Sequence, residues 1–194
     1  MNKHRLALFV SGTGSNALNI ATYFSQHQSI EIGLLVTNNA TSPAIQACQE
    51  MDIPCALITN SQAADAQFLV DLCVTHRITH VVLAGYLRLI PAAFIHEFTN
   101  RIFNIHPALL PKFGGKGMYG DRVHAAVLEA CSPESGITVH LVNECFDEGR
   151  TLAQFHCPVD QNDTIDTLRK KVQALEHAHY PTVIEQTIHS ENHV

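Results

Sequence analysis

The sequence predicts an α/β fold: a three-layer sandwich on a mostly parallel, Rossmann-like sheet. Three observations lead there. Short apolar runs alternate with amphipathic stretches through the first half of the chain, the connections between them are short, and a glycine-rich turn stands at the first strand-to-helix junction. The chain has 194 residues, 46% of them hydrophobic and 15% charged, a composition suited to one substantial core. No internal repeat or linker-like stretch interrupts it, so residues 1–194 are expected to form a single domain.

The elements run in order. Leu6 to Val10 reads as a first buried strand, Asn16 to Gln26 as a helix, and Ile32 to Val36 as a second strand. Pro43 to Met51 reads as a helix, Cys55 to Ile58 as a short strand, Ala64 to Thr75 as a helix, and Thr79 to Ala84 as a strand. Arg101 to Ile105 is a strand ending at His106-Pro107. Leu110 to Gly120 holds four glycines and one proline and reads as a mobile loop. Arg122 to Ala130 is helical, Gly136 to Val142 is a strand, and Thr151 to His156 is its plausible partner. Asp163 is placed as the N-cap of a last helix, with Asp166 in its first turn. Ile165, Leu168, Val172 and Leu175 form that helix's apolar stripe. Pro181 is expected to break or restart the helix, and the polar tail from about Ile188 to fray.

Composition narrows the function. The formal net charge of -6 argues against a large basic face for nucleic acid. No run approaches the roughly 18 apolar residues of a membrane span, and the basic start at Met1 to Arg5 leads into a strand rather than a secretory signal. Six cysteines form no CxxC pair and read as reduced thiols of a cytoplasmic protein. The 13 histidines show no metal-binding spacing on a predicted helix, so no metal is expected.

Two constellations carry chemistry. Ser11-Gly12-Thr13-Gly14-Ser15-Asn16 joins the first strand to the first helix. Small residues permit a tight turn there, and the helix N-terminus favours an anion such as a monophosphate. A full dinucleotide signature is lacking, and a turn serving only chain geometry is the other reading. Further on, Asn104 and His106 sit two apart on a strand, so they share a face at its carboxyl end. Pro107 stiffens the turn immediately after His106. Asp147, in a loop between two strands, reaches the same place if those strands are neighbours. A histidine with a carboxylate moves protons near neutral pH, and an asparagine steadies a developing oxyanion. The alternative is structural: a satisfied strand-end histidine, a turn-capping asparagine and an Asx-turn aspartate.

The segments SGTGSN (11–16), VVLAGYLRLI (81–90), NIHPALLPKFGG (104–115), SGITVHLV (135–142), DEG (147–149) and EHAHYP (176–181) occur in that order. In this the chain resembles the phosphoribosylglycinamide formyltransferase branch of the folate-dependent formyltransferases, over roughly residues 5–185. NIHPALLP marks the superfamily. The SGTGSN turn and EHAHYP point to the glycinamide ribonucleotide branch.

The resemblance implies transfer of the formyl group of 10-formyltetrahydrofolate, a cosubstrate, to the amine of glycinamide ribonucleotide, in purine biosynthesis. It implies Asn104, His106 and Asp147 as the catalytic trio. Gly12, Thr13, Gly14, Ser15, Asn16, Pro107 and Glu176 would bind the acceptor: the turn its phosphate, Glu176 its ribose. Tyr86, Leu87, Arg88, Leu89 and Ile90, with His140, Glu144 and Glu148, would line the folate side. The N-terminal half would thus bind the phosphorylated acceptor, and the C-terminal half would bind folate and carry catalysis. Partners would be small molecules, with no nucleic acid and no membrane, and the protein a monomer or weak homodimer. A 10-formyltetrahydrofolate hydrolase, or a formyltransferase for another small phosphorylated amine, is the competing expectation. Such hydrolases usually carry an N-terminal regulatory domain, for which the first strand begins too near Met1.

Overall fold

In the computed structural model, which describes residues 3–191, the strands line up in one seven-stranded sheet. Its order is β3-β2-β1-β4-β5-β6-β7. The strands are β1 (His4–Val10), β2 (Ile30–Thr37), β3 (Cys55–Leu57), β4 (His80–Leu83), β5 (Ile102–His106), β6 (Glu134–Leu141) and β7 (Thr151–Pro158). The helices are α1 (Ser15–Phe24), α2 (Pro43–Glu50), α3 (Asn60–Ala63), α4 (Ala66–Thr75), α5 (Ala92–Glu97), α6 (Asp121–Glu129) and α7 (Ile165–Glu191). The β1–β2, β1–β4 and β2–β3 pairs are parallel, and β6–β7 is antiparallel. This is the mostly parallel α/β sheet expected from the sequence. The chain divides into two compact units, residues 1–103 and 104–194.

In the first unit, Leu6 through Val10 of β1 are all fully buried, so the strand reads as an unbroken apolar run beyond His4 and Arg5 rather than alternating. Gly33 makes a bulge in β2: the pairing steps from Leu6↔Ile32 to Ala7↔Leu34. Two helices arise from local chemistry that the apolar period does not show. Thr59 and Gln62 form a capping box that starts α3. The chain then leaves the helix, and Asp65 caps α4 by accepting from Phe68 N–H. The helix expected from Ala64 is thus α4, starting two residues later, and α3 is a short helix ahead of it that the sequence reading did not assign. The short α5, unassigned from sequence, starts after Pro91 and buries Phe94 and Ile95.

In the second unit, α7 packs on α6, β6 and β7. Arg169 of α7 pairs with Asp121 of α6 at 2.9 Å, and the Phe155 and His179 rings stack at 3.7 Å. Two expectations fail here. Thr164, not Asp163, caps α7, its hydroxyl accepting from Thr167 N–H at 3.2 Å. Asp163 instead accepts from Lys171 at 2.6 Å and from Asp160 N–H at 2.8 Å. Nor does Pro181 end the helix, which runs to Glu191. Leu168, Val172, Tyr180, Ile184 and Ile188 are almost wholly buried. Each buried apolar side chain contributes about 1.5–3 kcal/mol, so together they outweigh the roughly 3 kcal/mol cost of an interior proline. Ile188 to Glu191 are helical, and the rest of the tail expected to fray lies outside the described residues.

Candidate active site

The catalytic candidates converge in the second unit. Asn104 and His106 occupy one face of β5, as their spacing requires, with His106 only 3% exposed. On β6, Thr138 and His140 stand two apart in the same way, both buried. Asp147 lies in the connection from β6 to β7, at φ 57, a left-handed conformation that aspartate tolerates.

Hydrogen-bond chemistry fixes the protonation of His140. Its Nδ1 lies 3.1 Å from the Leu141 carbonyl, which only accepts, so Nδ1 carries the proton. The bare Nε2 then accepts from Asn104 Nδ2 at 3.0 Å. The Asn104 amide is thereby turned so that its second N–H remains as a donor. Burial lowers the pKa of His140, which keeps this neutral tautomer; the Leu141 bond and the Asp147 charge act the other way.

His106 is held differently. Its Nε2–H donates to the Phe113 carbonyl at 2.8 Å, while Nδ1 faces Asp147 Oδ2 at 3.5 Å. Burial lowers its pKa as well, opposed by Asp147 and by the Phe113 bond. The proton on Nδ1 is therefore the movable one. It is disfavoured by desolvation and favoured by the carboxylate beside it. Asp147 Oδ2 accepts the Gly115 N–H at 2.9 Å, and Oδ1 lies 3.7 Å from His140 Nε2.

Four groups that sequence reasoning missed hold this cluster. The Phe113 carbonyl and Gly115 N–H are backbone atoms and carry no residue-type signal. Thr138 Oγ1 donates to Ala108 O at 2.7 Å and accepts from Leu110 N–H and Gln154 Nε2, each at 2.9 Å. Gln154 also donates to Leu110 O at 2.8 Å. Thr138 and Gln154 thus fasten the turn after His106. A polar residue between Ile137 and Val139 on a buried strand was the available signal.

The remaining candidates of this unit are more dispersed. Pro107 is half-buried, Glu144 and Glu148 are exposed on the connection that carries Asp147, and Glu176 is half-buried on α7 one turn before Tyr180. His124 on α6 is buried, its Nδ1 without a partner among the described residues.

In the first unit, the turn leads straight into α1. Gly14 stands at the N-cap with φ 76, and an added Cβ would lie 2.5 Å from the Ala44 side chain, so glycine is required twice over. The first turn of α1 has no acidic residue, leaving the positive end of the helix dipole open to an anion. Tyr86 and Ile90 are buried, whereas Leu87 and Leu89 are 59% and 67% exposed. The Tyr86 hydroxyl is buried without a partner among the described residues.

An oriented amide and a histidine paired with a carboxylate suit acyl-type group transfer. The formyl transferase family profile matches residues 4–184, and the chain belongs to that family. A chloroplastic phosphoribosylglycinamide formyltransferase of Arabidopsis thaliana is 42% identical over 94% of this chain, which spans 64% of that relative's length. The Bacillus subtilis phosphoribosylglycinamide formyltransferase is 33% identical, over 95% of this chain and 94% of its own. The solved phosphoribosylglycinamide formyltransferase from Anaplasma phagocytophilum superposes with a TM-score of 0.86 at 29% identity, over 94% of this chain and 86% of that one. No helix among the described residues is long and apolar enough to cross a membrane.

Proposed function

We propose that this protein transfers the formyl group of 10-formyltetrahydrofolate to the amine of glycinamide ribonucleotide, yielding formylglycinamide ribonucleotide and tetrahydrofolate in purine biosynthesis. The carrying observation is the Asn104–His140 and His106–Asp147 arrangement, together with the matched relatives of that name.

The amine nitrogen attacks the formyl carbon, and the carbonyl electron pair moves to oxygen. The free N–H of Asn104 donates to that oxyanion. His106 donates to it as well, Nε2–H exchanging the Phe113 carbonyl for the oxyanion. Asp147 supports the imidazolium through Nδ1 and takes up the proton that the amine loses. Collapse of the tetrahedral centre breaks the bond from carbon to N10, which leaves with the proton that Asp147 took up, so that the carboxylate is regenerated. The turn from Gly12 to Asn16 holds the acceptor phosphate and Glu176 its ribose. Tyr86 to Ile90, His140, Glu144 and Glu148 serve the folate. Pro107 keeps His106 in place beside the acceptor. Protein hydrogen bonds and one carboxylate carry every step. The reading includes a cytoplasmic, monomeric or weakly dimeric enzyme acting on small molecules, which the net charge of -6 and six free thiols support.

The test is release of tetrahydrofolate by wild type and His106→Ala, each with and without glycinamide ribonucleotide. Acceptor-dependent release that falls at least about a hundredfold in the variant is expected. Equal release without acceptor would replace the transferase with a hydrolase, and no release from folded wild-type protein would overturn both.

A further inference from the structure

Ser11 precedes the anion turn and is not among the residues assigned above to either substrate, yet it is the junction of both segments in the first unit. Its N–H donates to Gly85 O at 3.1 Å, and its Oγ accepts from Leu87 N–H at 3.0 Å. The Asn38 amide completes the junction. With Nδ2 donating to Ser11 Oγ at 2.9 Å, its Oδ1 accepts from Arg88 Nε and Nη2 at 3.1 and 3.2 Å. The reverse orientation would set the amide NH2 against the guanidinium, two donors facing each other. Ser11 Oγ thus accepts twice, once from the backbone of the 85–89 segment and once from the side chain that holds Arg88. On the other side, Asn39 Nδ2 donates to Ser11 O at 3.4 Å, and Ser42 Oγ to Gly12 O at 2.8 Å.

The 85–89 segment needs such a tie. Gly85, Leu87, Arg88 and Leu89 are exposed, with Gly85 at φ 77, so little burial fixes their conformation. Leu87 N–H and the Arg88 guanidinium are held through Ser11 and Asn38. An anion that orders residues 12–16 also orders Ser11, and with it the start of this segment.

We propose that Ser11 is a positioning residue that couples the two substrates, so that a phosphorylated acceptor on the turn and a reduced folate on the 86–90 segment tighten each other's binding. This rests on the function proposed above. The coupling is reciprocal, because linkage requires each ligand to change the other's affinity by the same factor.

Calorimetric titration of tetrahydrofolate, kept reduced, with and without saturating glycinamide ribonucleotide measures that factor without turnover. Wild type is expected to bind the folate about fivefold or more tightly with the acceptor present, and the acceptor to gain equally in the reverse titration. Ser11→Ala should bring the factor close to one, while Ser11→Thr, which keeps the hydroxyl, should retain it. A residue that only stabilised the fold would weaken both ligands and leave the factor unchanged. Asn38→Ala attacks the same junction from the Arg88 side and decides the matter if Ser11→Ala does not fold. The proposal is overturned by a wild-type factor of one, or by an undiminished factor in the folded Ser11→Ala or Asn38→Ala variant. Ribose 5-phosphate separates the two readings. If it couples to folate where glycinamide ribonucleotide does not bind, the acceptor assignment fails and Ser11 coupling stands. If neither phosphorylated probe binds, or tetrahydrofolate does not, both fail.

Discussion

Gly149 stands two residues beyond Asp147, where the connection from β6 to β7 passes closest to the end of β6. A Cβ added there would lie 1.7 Å from Leu141 O, 2.8 Å from Leu141 C and 3.3 Å from Asn143 N, all backbone atoms. Ordinary contact begins near 3.4 Å, so in Gly149→Ala the two backbones must part by about 3.4 − 1.7 = 1.7 Å. No side chain can yield in their place. Leu141 O is the acceptor that fixes the His140 tautomer, and Leu141 N–H donates to Arg150 O at 2.9 Å. Separation therefore either releases His140, and with it the Asn104 amide, or carries Asp147 away from His106. A misplacement of about 1 Å at a reacting group costs about a hundredfold in rate. The strain should cost about 1–3 kcal/mol, less than the 5–15 kcal/mol that usually holds a domain together. On the proposed function, the assay is kcat for formylation of glycinamide ribonucleotide, with urea unfolding in parallel. A kcat within threefold of wild type at an unchanged unfolding midpoint would show that the close approach does not position the catalytic groups.

Two further outcomes concern the same cluster. Thr138→Val preserves shape but leaves Leu110 N–H and Gln154 Nε2 without their acceptor; it should lower stability by about 1–3 kcal/mol and reduce kcat, and an unaltered urea midpoint would contradict the role given to Thr138. Burial lowers the pKa of His106, His124 and His140 below the ordinary 6.5, so below that pH the unfolded chain binds more protons than the folded one. Stability is thus fully present above about pH 6.5 and is lost as pH falls through the depressed values. Urea midpoints at pH 7.5, 6.0 and 5.0 should decline in that order, and a flat series would refute the assignment.

The strand-helix alternation was legible because parallel strands buried on both faces read as unbroken apolar runs, as Leu6 to Val10 does. Asn104 and His106 were legible because a strand's period of two places them on one face without any tertiary knowledge. Asp147 was legible as a candidate only, since its approach to His106 depends on a loop fold set by Gly149 and by the Gly115 N–H. Pro181 misled because a local helix-breaking tendency was weighed without the packing of Tyr180 and Ile184 around it. The ties made by the Ser11 and Thr138 hydroxyls escaped because they reach residues 76 and 28 positions away. No sequence period encodes such pairs.

Under the proposed function, the bond from His106 Nε2–H to the Phe113 carbonyl bears on when the histidine's electrostatic stabilisation comes into play. A buried N–H with no acceptor would cost roughly 1–3 kcal/mol in the resting protein. The carbonyl removes that penalty while remaining a neutral, replaceable partner. A neutral formyl oxygen offers the imidazole no better bond than it already has. An oxyanion does, because charge-assisted hydrogen bonds are about twice as strong. The swap is thus close to neutral for bound substrate and favourable only once charge has developed. On the proposed mechanism, Phe113 makes the histidine discriminate between ground state and transition state, so that its contribution lowers the barrier instead of deepening the substrate well.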